Sequence, residues 1–231
     1  QFVLSNPTNA TINDGSGVVE IIDDDTLVWK ATDIVTDADN ARDVHLADID
    51  GDGDLDIVSA EYDSDTIAWY ENDGAVNPSF TGNDIATNAD GARDVHVADM
   101  DNDGDLDIVS VSAFDDTVAW YENNGAANPT FTAVNIVTNL DHAYGVYIHD
   151  LDGDGDQDII AASTYDDKIT WLENNGAADP TFAATTIATS ADGPRDVFVA
   201  DIDSDGDMDI VAASREDDTI SWYENNGAAD P

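Results

Sequence analysis

Short apolar runs broken by acidic or glycine turns follow one another along most of this chain. Val44-His-Leu-Ala47 alternates apolar and polar positions, and Ile57-Val-Ser-Ala60 and Thr66-Ile-Ala-Trp-Tyr70 are nearly continuous apolar stretches. Phe80 to Thr87 follows a loop holding Asp73-Gly74 and Pro78. Runs of this length, rich in β-branched and aromatic residues and bounded by turn formers, predict strands. The later copies of that loop carry Asn124-Gly125, Asn175-Gly176 and Asn226-Gly227; Asn-Gly and Asp-Gly turn the chain because they accept φ > 0. No segment sustains the 3.6-residue period of a helix. The expected class is all-β.

The pattern recurs at a fixed distance. Trp69, Trp120, Trp171 and Trp222 stand 51 residues apart, as do Pro78, Pro129, Pro180 and Pro231. Trp29, Phe80, Phe131 and Phe182 share a second phase. A period of about 40–50 residues marks a propeller or solenoid, and four short strands per unit predict β-propeller blades. Trp29–Val35 would supply an outer strand with no unit before it, while the last unit stops short of its own. Those two ends could pair and close a four-bladed ring, but the favoured expectation is an open arc, a partial propeller from a larger protein. Residues 1–25 stand outside the repeat and predict two strands, Phe2–Ile12 and Val18–Ile22, joined by Asn13-Asp-Gly-Ser-Gly17.

Each unit carries one acidic nonapeptide: Asp48–Asp56, Asp99–Asp107, Asp150–Asp158 and Asp201–Asp209, each with five aspartates. So many like charges repel unless a cation gathers them. Calcium takes six to eight oxygens at about 2.3–2.6 Å, which suits a flexible Asp-rich loop, whereas Mg²⁺ demands tight octahedral geometry and keeps its waters. The loop starts like an EF-hand, Asp-x-Asp-x-Asp-Gly. Position 12 excludes that motif: it holds Ser59, Ser110, Ala161 and Ala212 in place of the bidentate Glu, and the flanks read as strands.

Charge narrows the partners. The net charge is −46, from 52 acidic and 6 basic residues; four bound Ca²⁺ would bring it only to about −38. Nucleic acid and anionic membranes both require Lys/Arg footprints and are excluded. No stretch reaches the roughly 18 apolar residues of a membrane span. With no cysteine there is neither a disulfide framework nor a thiolate site.

Other residues have simpler expectations. Arg42, Arg93 and Arg195 share one repeat phase, with Tyr144 in the third unit; ion pairs or hydrogen-bonded braces to a neighbouring acidic loop are expected, with a ligand contact on one face as the alternative. His45, His96, Tyr147 and Phe198 exchange at one phase, the sign of a packed strand position and not of a metal ligand. His142 and His149 have no counterparts. The repeat tryptophans are expected to pack between units, with sugar stacking as the alternative. No catalytic constellation stands out, so a non-enzymatic protein is expected.

The stretch Asp99-Met-Asp-Asn-Asp-Gly-Asp-Leu-Asp-Ile-Val-Ser110, followed by Thr117-Val-Ala-Trp-Tyr-Glu-Asn-Asn-Gly125, resembles the FG-GAP/VCBS-type repeat. The resemblance spans residues 26–231 and implies calcium-binding propeller blades like those of the integrin α-subunit head. It implies ligands at loop positions 1, 3, 5 and 9, with the backbone carbonyl of position 7. These are Asp48, Asp50, Asp52, Asp56 and the carbonyl of Asp54; Asp99, Asp101, Asp103, Asp107 and Asp105; Asp150, Asp152, Asp154, Asp158 and Asp156; Asp201, Asp203, Asp205, Asp209 and Asp207. About four Ca²⁺ follow, one per loop. Leu4–Ile12 and Ile21–Asp25 resemble the end of a Calx-β domain, which implies that residues 1–25 close a separate domain of a longer, secreted or cell-surface bacterial protein. The expected role is a calcium-binding extracellular structural, adhesive or protein-interaction module, with a cell-surface protein or glycan as partner. The alternatives are a lectin-like propeller or the non-catalytic propeller of a secreted polysaccharide-degrading enzyme.

Overall fold

The computed structural model describes residues 30–227. The chain parts into two compact units, Gln1–Ile34 and Val35–Pro231. Of the first, only residues 30–34 are described, so the Calx-β-like strands expected within residues 1–25 lie outside the described residues.

The second unit is built from antiparallel meanders with no helix among the described residues. Strands β1 (Ala41–Ala47), β2 (Asp56–Glu61), β3 (Thr66–Asn72) and β4 (Phe80–Ala86) form the first sheet in chain order. The second sheet comprises β5 (Ala92–Ala98), β6 (Asp107–Ser112), β7 (Thr117–Asn123) and β8 (Phe131–Val137). The third comprises β9 (Ala143–His149), β10 (Asp158–Ser163), β11 (Lys168–Asn174) and β12 (Phe182–Ala188). The fourth has three strands among the described residues, β13 (Pro194–Ala200), β14 (Asp209–Ser214) and β15 (Thr219–Tyr223). All four sheets keep one register: Ile57 faces Tyr70, Ile108 faces Tyr121, Ile159 faces Leu172 and Ile210 faces Tyr223. The expected strands form, and the four sheets make an open array.

The sheets stack through their faces. Val58, Ile67 and Trp69 of the first sheet bury against Val95, Ile108 and Tyr121 of the second. Val109, Val118 and Trp120 meet Val146, Ile159 and Leu172 in the next core; Ile160, Ile169 and Trp171 meet Val197, Ile210 and Ala212 in the third. A middle strand thus has one residue facing each neighbour. This is why β2, β6 and β10 read as continuous apolar runs and not as alternation. The histidine phase packs as expected, His45 on His96 at 4.6 Å, His96 on Tyr147 at 5.1 Å and Tyr147 on Phe198 at 4.7 Å.

One expectation fails. Lys30–Val35, the described part of the predicted extra outer strand, is not a strand. In the complete units the outer strand hydrogen-bonds to the tryptophan strand of its own sheet, as Phe80 pairs with Asn72 and Asn83 with Trp69. The segment at residues 30–35 has no such partner strand before it in the repeat, and propensity alone does not hold an isolated strand.

Candidate metal centres

Each Asp loop connects an inner strand to the next strand of its sheet, β1 to β2 in the first unit. The loop folds on its own carboxylates. In the first copy Asp48 Oδ2 accepts from the Gly53 N–H at 3.0 Å, Asp50 Oδ1 from Asp52 N–H at 3.1 Å, and Asp52 Oδ1 from Asp54 N–H at 2.9 Å. The position-1 bond recurs in every unit, Asp99 to Gly104, Asp150 to Gly155 and Asp201 to Gly206. The receiving glycine sits at φ of 99° in the first two copies and 101° and 102° in the others, where an L side chain is strained. The second oxygen of Asp48 and of Asp201 has no hydrogen-bond donor, whereas that of Asp99 also accepts from Asp103 N–H at 3.2 Å and that of Asp150 from Gly153 N–H at 2.8 Å.

The carboxylates converge. Asp48, Asp50 and Asp52 each offer one oxygen, all within 4.8 Å of one another. So do Asp99, Asp101 and Asp107; Asp150, Asp152 and Asp158; and Asp201, Asp203 and Asp209. Ligand oxygens about 2.3–2.6 Å from one calcium ion lie at most about 5 Å apart, so the clusters are of the right size. Desolvation, with the neighbouring carboxylates, lifts Asp50, Asp101, Asp152 and Asp203 above the ordinary carboxylate range, against the pull of backbone N–H groups. A cation would relieve that strain. Positions 1 and 3 belong to every cluster. Position 5 joins in the first unit, and position 9 in the other three.

Positions 9 and 7 have roles the spacing did not reveal. The position-9 carboxylate is a backbone brace. Asp107 accepts from Met100 N–H at 3.1 Å and Asn123 N–H at 2.8 Å, tying the loop to the end of β7. Asp56, Asp158 and Asp209 make the same pair of bonds. Burial pushes Asp107 up to about 7 and Asp158 to about 6, against those two N–H donors. At position 7 the side chain itself is used: a Cβ on Gly125 would lie 1.8 Å from Asp105 Oδ2, with the same contact at Gly74, Gly176 and Gly227. The glycine of the Asn-Gly turn is therefore needed for space as well as for its positive φ.

The asparagine two residues before that glycine is a functional residue that sequence reading missed. Asn123 Nδ2 donates at 3.0 Å to Leu106 O in its own loop and at 3.0 Å to Ile49 O in the loop of the preceding unit. Asn174 reaches Met100 O at 2.8 Å and Asn225 reaches Leu151 O at 3.1 Å. The signal was present as a four-fold recurrence, Asn72, Asn123, Asn174 and Asn225. It was masked because an Asn before Asn-Gly reads as ordinary turn chemistry.

The arginines overturn the expected ion pairs. Among the described residues Arg42, Arg93 and Arg195 pair with no carboxylate; the ion pairs are Lys168 with Asp166 and Arg215 with Glu216. The guanidinium groups lie instead over tyrosine rings. Arg42 and Arg93 are 4.6 and 4.3 Å from the centre of Tyr62; Arg93 and Arg195 are 4.5 and 4.6 Å from that of Tyr144. Stacking on a ring face desolvates one side of the guanidinium and attracts it through the ring quadrupole. Tyr144, which breaks the arginine phase, joins Arg93 to Arg195 as Tyr62 joins Arg42 to Arg93.

A family model described as FG-GAP-like repeat matches residues 48–110, 107–161 and 150–212. No curated protein matches the chain. Among solved structures, a functionally unknown protein from Desulfotomaculum acetoxidans DSM 771 is 13% identical, over 82% of this chain and 71% of that one, with a TM-score of 0.41. The V. cholerae biofilm matrix protein Bap1 is 18% identical, over 78% of this chain and 36% of its own, with a TM-score of 0.40.

Proposed function

The chain belongs to the FG-GAP-like repeat family, and on that premise we propose that it is a calcium-stabilised structural module of an extracellular protein, serving adhesion or protein interaction without catalysis. The observation that carries the reading is the four-fold convergence of carboxylate oxygens in loops whose other oxygens are already fixed by backbone N–H groups. The chemistry of the donors favours a hard cation, and the acidity of the whole chain fits a calcium-rich, salty medium where repulsion is screened.

The Asn bridges give the metal a reach beyond its own sheet. Asn123 holds the loop of the first unit against that of the second, so an ion that orders one loop also fixes a partner of the next. Metal binding would then contribute to folding free energy, since a formed site exists only in the folded chain. Circular dichroism melts in millimolar calcium and in EDTA test this. Each site saturated a hundredfold above its Kd adds about 2.7 kcal/mol, so chelation should lower Tm by well over about 10 °C. An unchanged, cooperative melt would defeat the proposal.

A further inference from the structure

The strand ends remote from the Asp loops carry a second constellation. Arg42 lies at the start of β1 and Tyr62 just past the end of β2, whereas the loop joins their other ends. There Arg42, Tyr62, Arg93, Tyr144 and Arg195 form one continuous row across the four units. Two aromatic rings flank it and stand open to solvent: Phe114, 5.3 Å from Tyr62, and Tyr165, stacked at 4.3 Å and 15° on His142.

This row is the one place where the chain concentrates cations, with three of its six basic residues. None of the three takes a carboxylate partner among the described residues, although 52 acids are available in the sequence. Their donors are poorly used. Arg93 Nη2 meets His142 Nε2 only at 3.5 Å, Arg195 Nη1 donates to the Tyr144 hydroxyl at 3.1 Å, and the Nε of both is buried without an acceptor. A guanidinium stacked on rings keeps its N–H fork directed in its own plane, the geometry that takes a carboxylate with two parallel bonds. Exposed flat rings beside such forks suit the apolar face of a sugar, as aromatic surfaces do for amphipathic ligands.

We infer that this row is a binding site for a uronate polysaccharide, with sugar rings on Phe114 and Tyr165 and carboxylates on Arg93 and Arg195. A site that repeats its elements from unit to unit matches a ligand that repeats its own. The surrounding acids set the charge density of that ligand. Asp65 and Asp115 lie close enough to lift Asp90, after desolvation, above the ordinary range. A rim of that sign repels a densely charged polyanion such as nucleic acid. One carboxylate per sugar is taken up by the arginines at contact range, while the rim is screened within about 10 Å. The site lies away from the loops and does not rest on the metal reading.

The test is calorimetric titration of galacturonate oligomers into the full chain in millimolar calcium. Binding is expected, and loss of one charge-assisted fork in Arg93→Gln or Arg195→Gln should weaken it at least about tenfold. Tyr165→Ala should weaken it several-fold, and neutral galactose oligomers should not bind. The inference is overturned if the uronate does not bind, or if the neutral sugar binds as well. It is also overturned if affinity survives both arginine changes, which would place the carboxylates on calcium at the Asp loops. Oligoglutamate binding equally well would overturn it in favour of an acidic peptide. Should the arginine variants melt early, exposed Phe114→Ala and Tyr165→Ala decide: unchanged affinity in both sinks the site, and a loss in either supports it.

Discussion

The second and fourth units align without a gap and share most of their residues, yet have very different surroundings. Trp120 is 2% exposed and Trp222 47%; Val118 is fully buried, and its counterpart Ile220 is 81% exposed. Met100 at loop position 2 is buried, and Ile202 is exposed. The brace at position 9 follows suit. Burial drives Asp107 up to about 7, whereas for Asp209 the pull of burial is outweighed by the N–H groups of Asn225 and Ile202, and its pKa falls. The second unit lies between two sheets; the fourth has a neighbour on one side only among the described residues. Burial in this array is thus a property of adjoining pairs, and stability should be a sum of unit and nearest-neighbour contributions.

The sharpest break in that comparison comes from the tryptophans. Trp120→Ala should cost about 3–5 kcal/mol in urea unfolding, by lost transfer energy and the cavity left behind, while Trp222→Ala should cost less than about 1 kcal/mol. Equal losses would mean that the fourth sheet's open face is covered in solution.

Next come the asparagines. Asn123→Ala strips a donor from two carbonyls, a buried one in the first loop and a partly buried one in the second, and should cost about 1–3 kcal/mol. Asn72 donates at 2.9 Å to Leu55 O of its own loop and has no earlier unit to reach. Asn72→Ala should therefore cost less, about 0.5–1.5 kcal/mol. Chemical denaturation of the two variants in calcium measures the difference directly; if they match, the bridge between units carries no weight.

A third contrast is one of pH. Asp94 on β5 is pushed up to about 8 by burial and by the adjoining Asp43, while its carboxylate accepts from Val146 N–H at 2.9 Å. Its exposed counterpart Asp196 lies on the last inner strand. A group whose folded pKa exceeds its unfolded value of 3.8 binds more protons when folded. Wild-type stability should therefore fall as pH rises from about 4 to 8. Asp94→Asn removes that titration, so it should gain on wild type across this window and be the more stable at pH 9. Asp196→Asn, which removes one of the charges that lift Asp94, should leave the fall with pH in place but make it smaller. Melts in saturating calcium, which holds the loops constant, read both.

The last contrast is between two glycines, Gly125 and Gly82. Alanine at Gly125 would be strained at φ 63° and would displace the Asp105 carboxylate, costing about 1–2 kcal/mol. Gly82, with φ outside the left-handed region and only the edge of Tyr70 near it, should tolerate alanine far better. Comparable losses would show that the loop–turn contact at position 7 is not what selects glycine.

Much of this was legible beforehand. Strand runs such as Ile57–Ala60, the period, the Asp loops and the packing of Trp69, Trp120 and Trp171 all follow from residue pattern, because they depend on local propensity and on which side chains avoid water. The failures share one cause. The arginines were expected on carboxylates, since charge is visible in sequence and the rings of Tyr62 and Tyr144, which lie at different repeat phases, are not visibly adjacent. The outer strand expected at Trp29–Val35 looked competent by composition, but its described part, Lys30–Val35, has no partner to make it a strand. Asn123 looked like a turn residue because its second acceptor, Ile49 O, is 74 positions away.

The sequence by itself determined what each unit is: four strands, one acidic loop with its glycine reversal, and apolar residues on both faces. These are consequences of short-range chemistry, repeated every 51 residues. The tertiary structure alone decided what equivalent residues experience. It left Trp222 in water and Trp120 out of it, raised one aspartate and lowered its copy, and placed three arginines on two tyrosines. Burial, desolvation and contact all require a second surface, and no single unit carries the surface that covers it.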